Sequence, residues 1–211
     1  MALDPKEVVV SSLHEAVLID GGPHNYKQYA SIYEKDHAKF KAPEVVHAKW
    51  ISYYRQTLQS GSKKHKIFDA GCGTGLVGSH FADLLQQGLV EIYGGDLCPE
   101  MIELAKKKNL YADFKVVNLK EELPYEPETF DSITCSGVFL QGHCGPETVP
   151  HLARILKKGG SLVATVRRQF FDNTREEWEK QVQENRCEII EESDTPYFAE
   201  MHGVMLVIRK L

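Results

Sequence analysis

The stretch Ile67-Phe-Asp-Ala-Gly71-Cys-Gly73-Thr-Gly75-Leu-Val-Gly78-Ser-His-Phe81 limits the fold more than any other part of the chain. A short apolar run stops at Ala70, four glycines follow within eight residues, and an amphipathic stretch begins at Leu76. Glycine reaches positive φ without steric cost, so such a cluster marks a tight turn where the backbone can lie close to another group. Strand, glycine turn and helix in that order open a βαβ unit, whose next strand must lie parallel to the first.

The rest of the chain keeps that alternation. After a strand at Ile67 to Ala70, Leu76 to Gln87 reads as a crossover helix with Phe81, Leu84 and Leu85 on one face and Gly88 as a stop. Strand Val90 to Asp96, helix Pro99 to Lys108 and strand Phe114 to Asn118 follow, then a loop rich in Glu and Pro. Next come strand Asp131 to Ser136, helix Glu147 to Lys157, a turn at Gly159-Gly160, strand Ser161 to Val166 and helix Asp172 to Asn185. The tail changes character: Cys187 to Glu192 and Val204 to Arg209 are β-rich, joined by a loop with Pro196 and Gly203 and no helix. Strands without a crossover must pair antiparallel. The expected fold is α/β, a Rossmann-like doubly wound seven-stranded mixed sheet with an antiparallel last strand and no internal repeat.

Ahead of this core, residues 1 to 21 show little periodicity. Asn25 is placed to cap a helix with Tyr26, Tyr29, Tyr33 and His37 at helical spacing, and a second helix, Val45 to Leu58, follows Pro43. Residues 1–60 thus read as an N-terminal helical extension and lid over the sheet's ligand edge, and 61–211 as the binding core, with Ser60 to Lys66 as linker. A chain of 211 residues, 42% hydrophobic and 26% charged, suits one substantial core.

Charge narrows the partners. A net charge of -5 argues against a nucleic-acid binder, and the basic runs Lys63-Lys64-His65-Lys66 and Lys106-Lys107-Lys108 read as solvated surface. No apolar run is long enough to span a bilayer, and no charged n-region with an apolar core marks an export signal. Cys72, Cys98, Cys135, Cys144 and Cys187 are odd in number with no CxxC pair, which suits reduced thiols and no metal. A cytoplasmic monomer is expected.

The glycine turn puts backbone amides and a helix terminus beside a ligand. Gly73 to Gly78 satisfies GxGxxG, and Asp96 lies near the distance expected of a ribose-binding acid, so a dinucleotide must be weighed. Asp69 weighs against it, because a carboxylate beside a pyrophosphate repels it, whereas a ligand carrying an ammonium and a sulfonium would be attracted. The C-terminal hairpin also has no place in an ordinary dinucleotide fold.

Asp69-Ala-Gly71-Cys-Gly73-Thr-Gly75, an acid ending strand two and an antiparallel last strand resemble the class I S-adenosylmethionine (SAM) dependent methyltransferases. The resemblance implies SAM as cofactor, S-adenosylhomocysteine as product and no metal. It implies that Gly71, Cys72, Gly73, Thr74 and Gly75 form the loop under the methionine moiety, with Asp69 facing its ammonium side. Asp96 would accept both ribose hydroxyls, Leu97 would pack on the adenine, Asn118 or the Leu119 amide would read the adenine edge, and Ser136 and Gly137 would flank the methionine. Asn118 stands where the family often has Asp. The stretch Tyr26 to Glu34 followed by Pro43 is similar to the YDxWAxxYD pattern of a methyltransferase-like group, with Lys27 and Tyr29 departing from it, and Tyr26 and Tyr33 would close over the cofactor.

Transfer from a sulfonium is an in-line displacement on an activated carbon, so alignment and exclusion of water supply much of the rate. A base is needed only where the nucleophile arrives protonated. His143, just after strand four, is the candidate base beside its reading as an ordinary loop histidine, and Tyr197 and His202 are candidates to border the acceptor. Strand four lacks an Asn-Pro-Pro-Tyr signature, which disfavours adenine and glutamine amides. A small molecule is the expected acceptor and a protein side chain the second choice. A non-catalytic SAM-binding or scaffold protein is the alternative from another class.

Overall fold

The computed structural model describes residues 39–58 and 63–211. The helix expected from Asn25, with Tyr26, Tyr29, Tyr33 and His37, lies outside the described residues, as do 60–62 of the expected linker.

Seven strands form one sheet: β1 His65–Ala70, β2 Val90–Asp96, β3 Asp113–Val116, β4 Phe130–Phe139, β5 Leu156–Arg167, β6 Cys187–Phe198 and β7 Met201–Lys210. Their order is β3-β2-β1-β4-β5-β7-β6. β1 to β5 run parallel, and β7 lies antiparallel to both β5 and β6. The helices are α1 Ala42–Tyr54, α2 Leu76–His80, α3 Ala82–Gln86, α4 Pro99–Lys106, α5 Val149–Ile155 and α6 Arg168–Glu184. None of the described helices is long and apolar enough to cross a membrane.

Successive side chains of a strand point to opposite faces, and the sheet is buried on both. On one face Phe68, Phe130, Leu162, Ala164 and Leu206 pack with Leu152, Phe171 and Trp178 of α5 and α6. On the other, Ile67, Val163, Met205 and Val207 pack with Val46 and Trp50 of α1 and Val77 of α2. α1 therefore belongs to the core. It lies flat on the sheet, with Trp50 Nε1 donating to Ser132 Oγ at 2.7 Å and the Ser161 amide donating to Tyr54 Oη at 2.9 Å. At its start, the Lys41 amide donates to Tyr197 O at 3.1 Å and Phe40 bridges to Phe198. A helix so placed spans the sheet from its carboxyl edge to its amino edge instead of covering the carboxyl edge as a lid.

Several expectations change in detail, among them the Gly159-Gly160 turn, which falls inside β5. The crossover helix is two short helices that break at Phe81, whose fully buried ring packs edge-on against Trp50 at 4.9 Å. The expected loop with Pro196 and Gly203 is strand: Thr195 pairs with Gly203 and Pro196 with His202, leaving Ala199-Glu200 as the turn. β6 is an edge strand, where polar residues meet water and a proline costs no ladder bond on its open side. Finally, β4 bulges between Cys135 and Phe139, where it pairs with Ala164 and Val166, and pushes Ser136, Gly137 and Val138 out of register.

Candidate functional site

Strand order reverses between β1 and β4, and ligands of open α/β sheets bind outside the carboxyl ends of strands at such a switch point. A cleft of about 300 Å³ opens there. Of the residues expected at the site, Gly71, Gly73, Asp96, Leu97, Asn118, Leu119, Ser136, Gly137 and His143 line it together.

The glycine loop is tied down on β2. The amides of Gly71 and Cys72 both donate to Gly95 O, at 2.7 and 3.0 Å, and the Gly73 amide donates to Asp96 Oδ2 at 2.8 Å. Cys98 N–H donates to Asp96 Oδ1 at 2.9 Å. Burial holds the Asp96 carboxyl above its ordinary pKa, opposed by the amides of Cys98, Gly73 and Leu97. Each carboxylate oxygen has two acceptor positions, so one on each stays available to a diol. The amides expected to face a ligand are thus partly committed to the protein, and the helix after the turn is only five residues long. A helix this short offers little dipole to the cleft.

Each glycine has its own steric reason. A Cβ on Gly71, at φ +70, would sit 2.2 Å from Val138 Cγ2, so the loop passes directly under β4's bulge. Gly73 and Gly137, both at positive φ and both lining the cleft, would place a Cβ where no protein atom lies within 4 Å. That open space is the room a ligand would fill.

Asp69 does not line the cleft. It is 1% exposed beneath the loop, where Oδ2 accepts from Tyr111 Oη at 2.7 Å and Oδ1 accepts from Thr134 Oγ1 at 3.0 Å. Burial pushes its pKa up to about 6 against the pull of these two donors. A direct contact with a ligand ammonium is replaced by support of the turn. Tyr111 carries that support: its Oη also accepts the Gly78 amide at 3.1 Å, and its ring fills the space beside Gly75 and Gly78, where added Cβ atoms would lie 3.1 and 2.5 Å from Cε2. Tyr111 sits in the connection between α4 and β3, with no motif to mark it. Cys72 and Thr74 are buried away from the cleft, the Cys72 thiol pushed far up by burial.

His143 lines the cleft in the connection after β4, its amide donating to Leu140 O at 3.1 Å. Its neighbour Cys144 also lines it, and burial raises that thiol to about 11, which keeps it protonated at neutral pH and unsuited to nucleophilic attack. Lys120, Met101 and Val138, with Cys98, Val117 and Gly142, complete the walls; Met101 carries only an apolar helix signal in the sequence. Tyr197 and His202 stand elsewhere. Tyr197 is 5% exposed in a cluster with Ala42 and Phe198, and His202 Nδ1 lies 2.6 Å from Asp194 Oδ2 on the exposed hairpin. Tyr26 and Tyr33 lie outside the described residues. Among the described residues, no three His, Cys, Asp or Glu side chains are grouped to hold a metal ion.

Residues 67–160 match the family model described as a methyltransferase domain. A solved structure, a TehB-like SAM-dependent methyltransferase from Corynebacterium glutamicum, superposes with TM-score 0.62 over 90% of this chain and 100% of that one, at 21% identity. The match is to a methyltransferase domain, and the fold is the one this SAM-dependent methyltransferase adopts. In sequence, the chain is similar to human Methyltransferase-like protein 27, 31% identical over 147 residues, which cover 68% of this chain and 57% of that protein. It is also similar to the demethylmenaquinone methyltransferase of Deinococcus radiodurans, 31% identical over 104 residues, 46% of this chain and 41% of that protein. The chain spans about half the length of these curated relatives.

Proposed function

We propose that the chain binds SAM in the cleft between β1 and β4 and transfers its methyl group to a small-molecule acceptor. The observation that carries this is the meeting of Asp96 with the open glycines Gly73 and Gly137 at the switch point. Asp96 would hold the ribose diol, Leu97, half exposed at 47%, would cover one face of the adenine, and Asn118 and Leu119 would meet its edge. Ser136 and Gly137 would flank the methionine moiety. When bound, SAM supplies an activated methyl carbon; the chain's own task is to align the acceptor and keep water out. His143 would accept the proton of an acceptor that arrives protonated. A small-molecule acceptor is supported by the modest cleft and by a relative named for demethylmenaquinone.

Parallel calorimetric titrations with SAM, S-adenosylhomocysteine and NADH test the cofactor. Binding of the first two alone is expected; a folded protein that binds neither would withdraw the proposal. Turnover across a panel of small phenols, carboxylates and amines then separates an enzyme from a SAM-binding scaffold.

A further inference from the structure

The amino edge of the sheet, opposite the cleft, carries an arrangement that methyl transfer does not use. Two adjoining hollows of about 140 and 370 Å³ share Thr57, His65 and Asp131. Lys63 and Lys64 line the first, and Lys157, Lys158 and Arg209 line the second, so a basic run near position 64 meets a second basic pair some ninety residues on. On a chain of net charge -5, five cations here face one lining carboxylate. That carboxylate takes up one of the five, Asp131 Oδ1 pairing with Lys157, and its Oδ2 accepts the Lys66 amide at 2.8 Å. Glu188 approaches Arg209 only to 3.9 Å. Burial holds His65 at about 4, so it adds no charge at neutral pH.

The backbone is shaped for this. Phe130 pairs with Leu156 and Ser132 with Ser161, so Lys157, Lys158, Gly159 and Gly160 together stand opposite Asp131 alone. Gly159 turns the excursion at φ +76, and a Cβ on Gly160 would lie 2.6 Å from Asp131 O, so the two glycines hold both lysines against the hollow. Tyr54 forms a fixed wall, stacked on Trp50 at 5.0 Å and edge-on to His65 at 4.6 Å.

We infer that this trough is a second ligand site, for a small molecule bearing a phosphate monoester or pyrophosphate group. Lys64, Lys158 and Arg209 hold the anion, and the remainder of the ligand lies along Tyr53 and Tyr54. Cationic groups gathered around two small adjoining hollows match a compact multiply charged anion, whereas a nucleic-acid strand asks for an extended stripe.

The test uses the full chain, without SAM, so its result is independent of the methyl-transfer proposal. Inorganic pyrophosphate is titrated while backbone amide NMR shifts are followed, with sodium chloride at matched ionic strength as control. Saturable shifts at Lys158, Gly159, Gly160 and His65, and none at Gly73 or Gly137, are expected. Lys158→Glu and, separately, Lys64→Glu should each weaken binding roughly tenfold, as charge reversal beside an anion requires. Both side chains are exposed, so the melting temperature should hold and one variant serves if the other misfolds. Shifts that do not saturate, that chloride reproduces, that appear only in the SAM cleft, or that survive both variants would overturn the inference.

Discussion

Asp96 has two jobs that substitution can separate: its oxygens bind the loop amides of Gly73 and Cys98, and they face the cleft. Asp96→Ala should lower S-adenosylhomocysteine affinity by roughly tenfold to a hundredfold, the worth of charge-assisted hydrogen bonds. Asp96→Asn, which keeps one acceptor, should lose less; equal affinity in all three proteins, measured by calorimetry, would remove Asp96 from the site. Tyr111→Phe deletes the donor to Asp69 and the acceptor for the Gly78 amide. About 1–3 kcal/mol of stability should be lost in urea titrations. The loss should be larger at pH 7.5 than at pH 5, because Asp69, at about 6, is charged only at the higher pH. A loss independent of pH would show that Tyr111 acts through packing alone. At this scale the sequence shows cleft-lining residues that sit in a motif, such as Gly71, Gly73 and Asp96. It hides Tyr111, whose role arises from a fold that brings it under a loop thirty-three residues earlier.

Elements were legible where period and breakers agree. β2 runs from Val90 to Asp96 as its alternation and flanking Gly and Pro dictate. The hairpin was half legible: β6 continues past Glu192 to Phe198 because an edge strand needs only one apolar face, so its polar residues imitate a loop. α1 was legible as a helix and illegible as a core layer, because its placement depends on Trp50 and Val46 meeting strands distant in sequence. Trp50 is fully buried, so Trp50→Ala should cost about 3–5 kcal/mol. Trp50→Phe, which keeps a ring and drops the donor to Ser132, should cost nearer 1 kcal/mol. Chemical denaturation decides: a negligible cost for the alanine variant would mean that α1 is a detachable lid.

Two buried groups on opposite edges of the sheet give the whole molecule an acid response that neither shows alone. Asp69 titrates at about 6 when folded and near its ordinary value when unfolded, so the folded state binds the extra proton and gains stability as pH falls through 6. His65 is held at about 4 by burial, with Nε2 2.9 Å from Ser132 Oγ. Its unfolded form takes up a proton near 6.5, so stability is lost as pH falls below that value. Between pH 7 and 5 each contributes about 1–2 kcal/mol, with opposite sign. Asp96, raised by burial, adds to the first contribution, and His47, lowered by burial, adds to the second. The wild-type melting temperature should therefore change little over this window. Asp69→Asn should expose the histidine contribution and melt lower at pH 5 than at pH 7, while His65→Gln should do the reverse. Differential scanning calorimetry at the two pH values reads both signs directly; variants that track the wild type would mean that neither group is held at its displaced pKa, and with that the buried support under the glycine loop would lose its electrostatic basis.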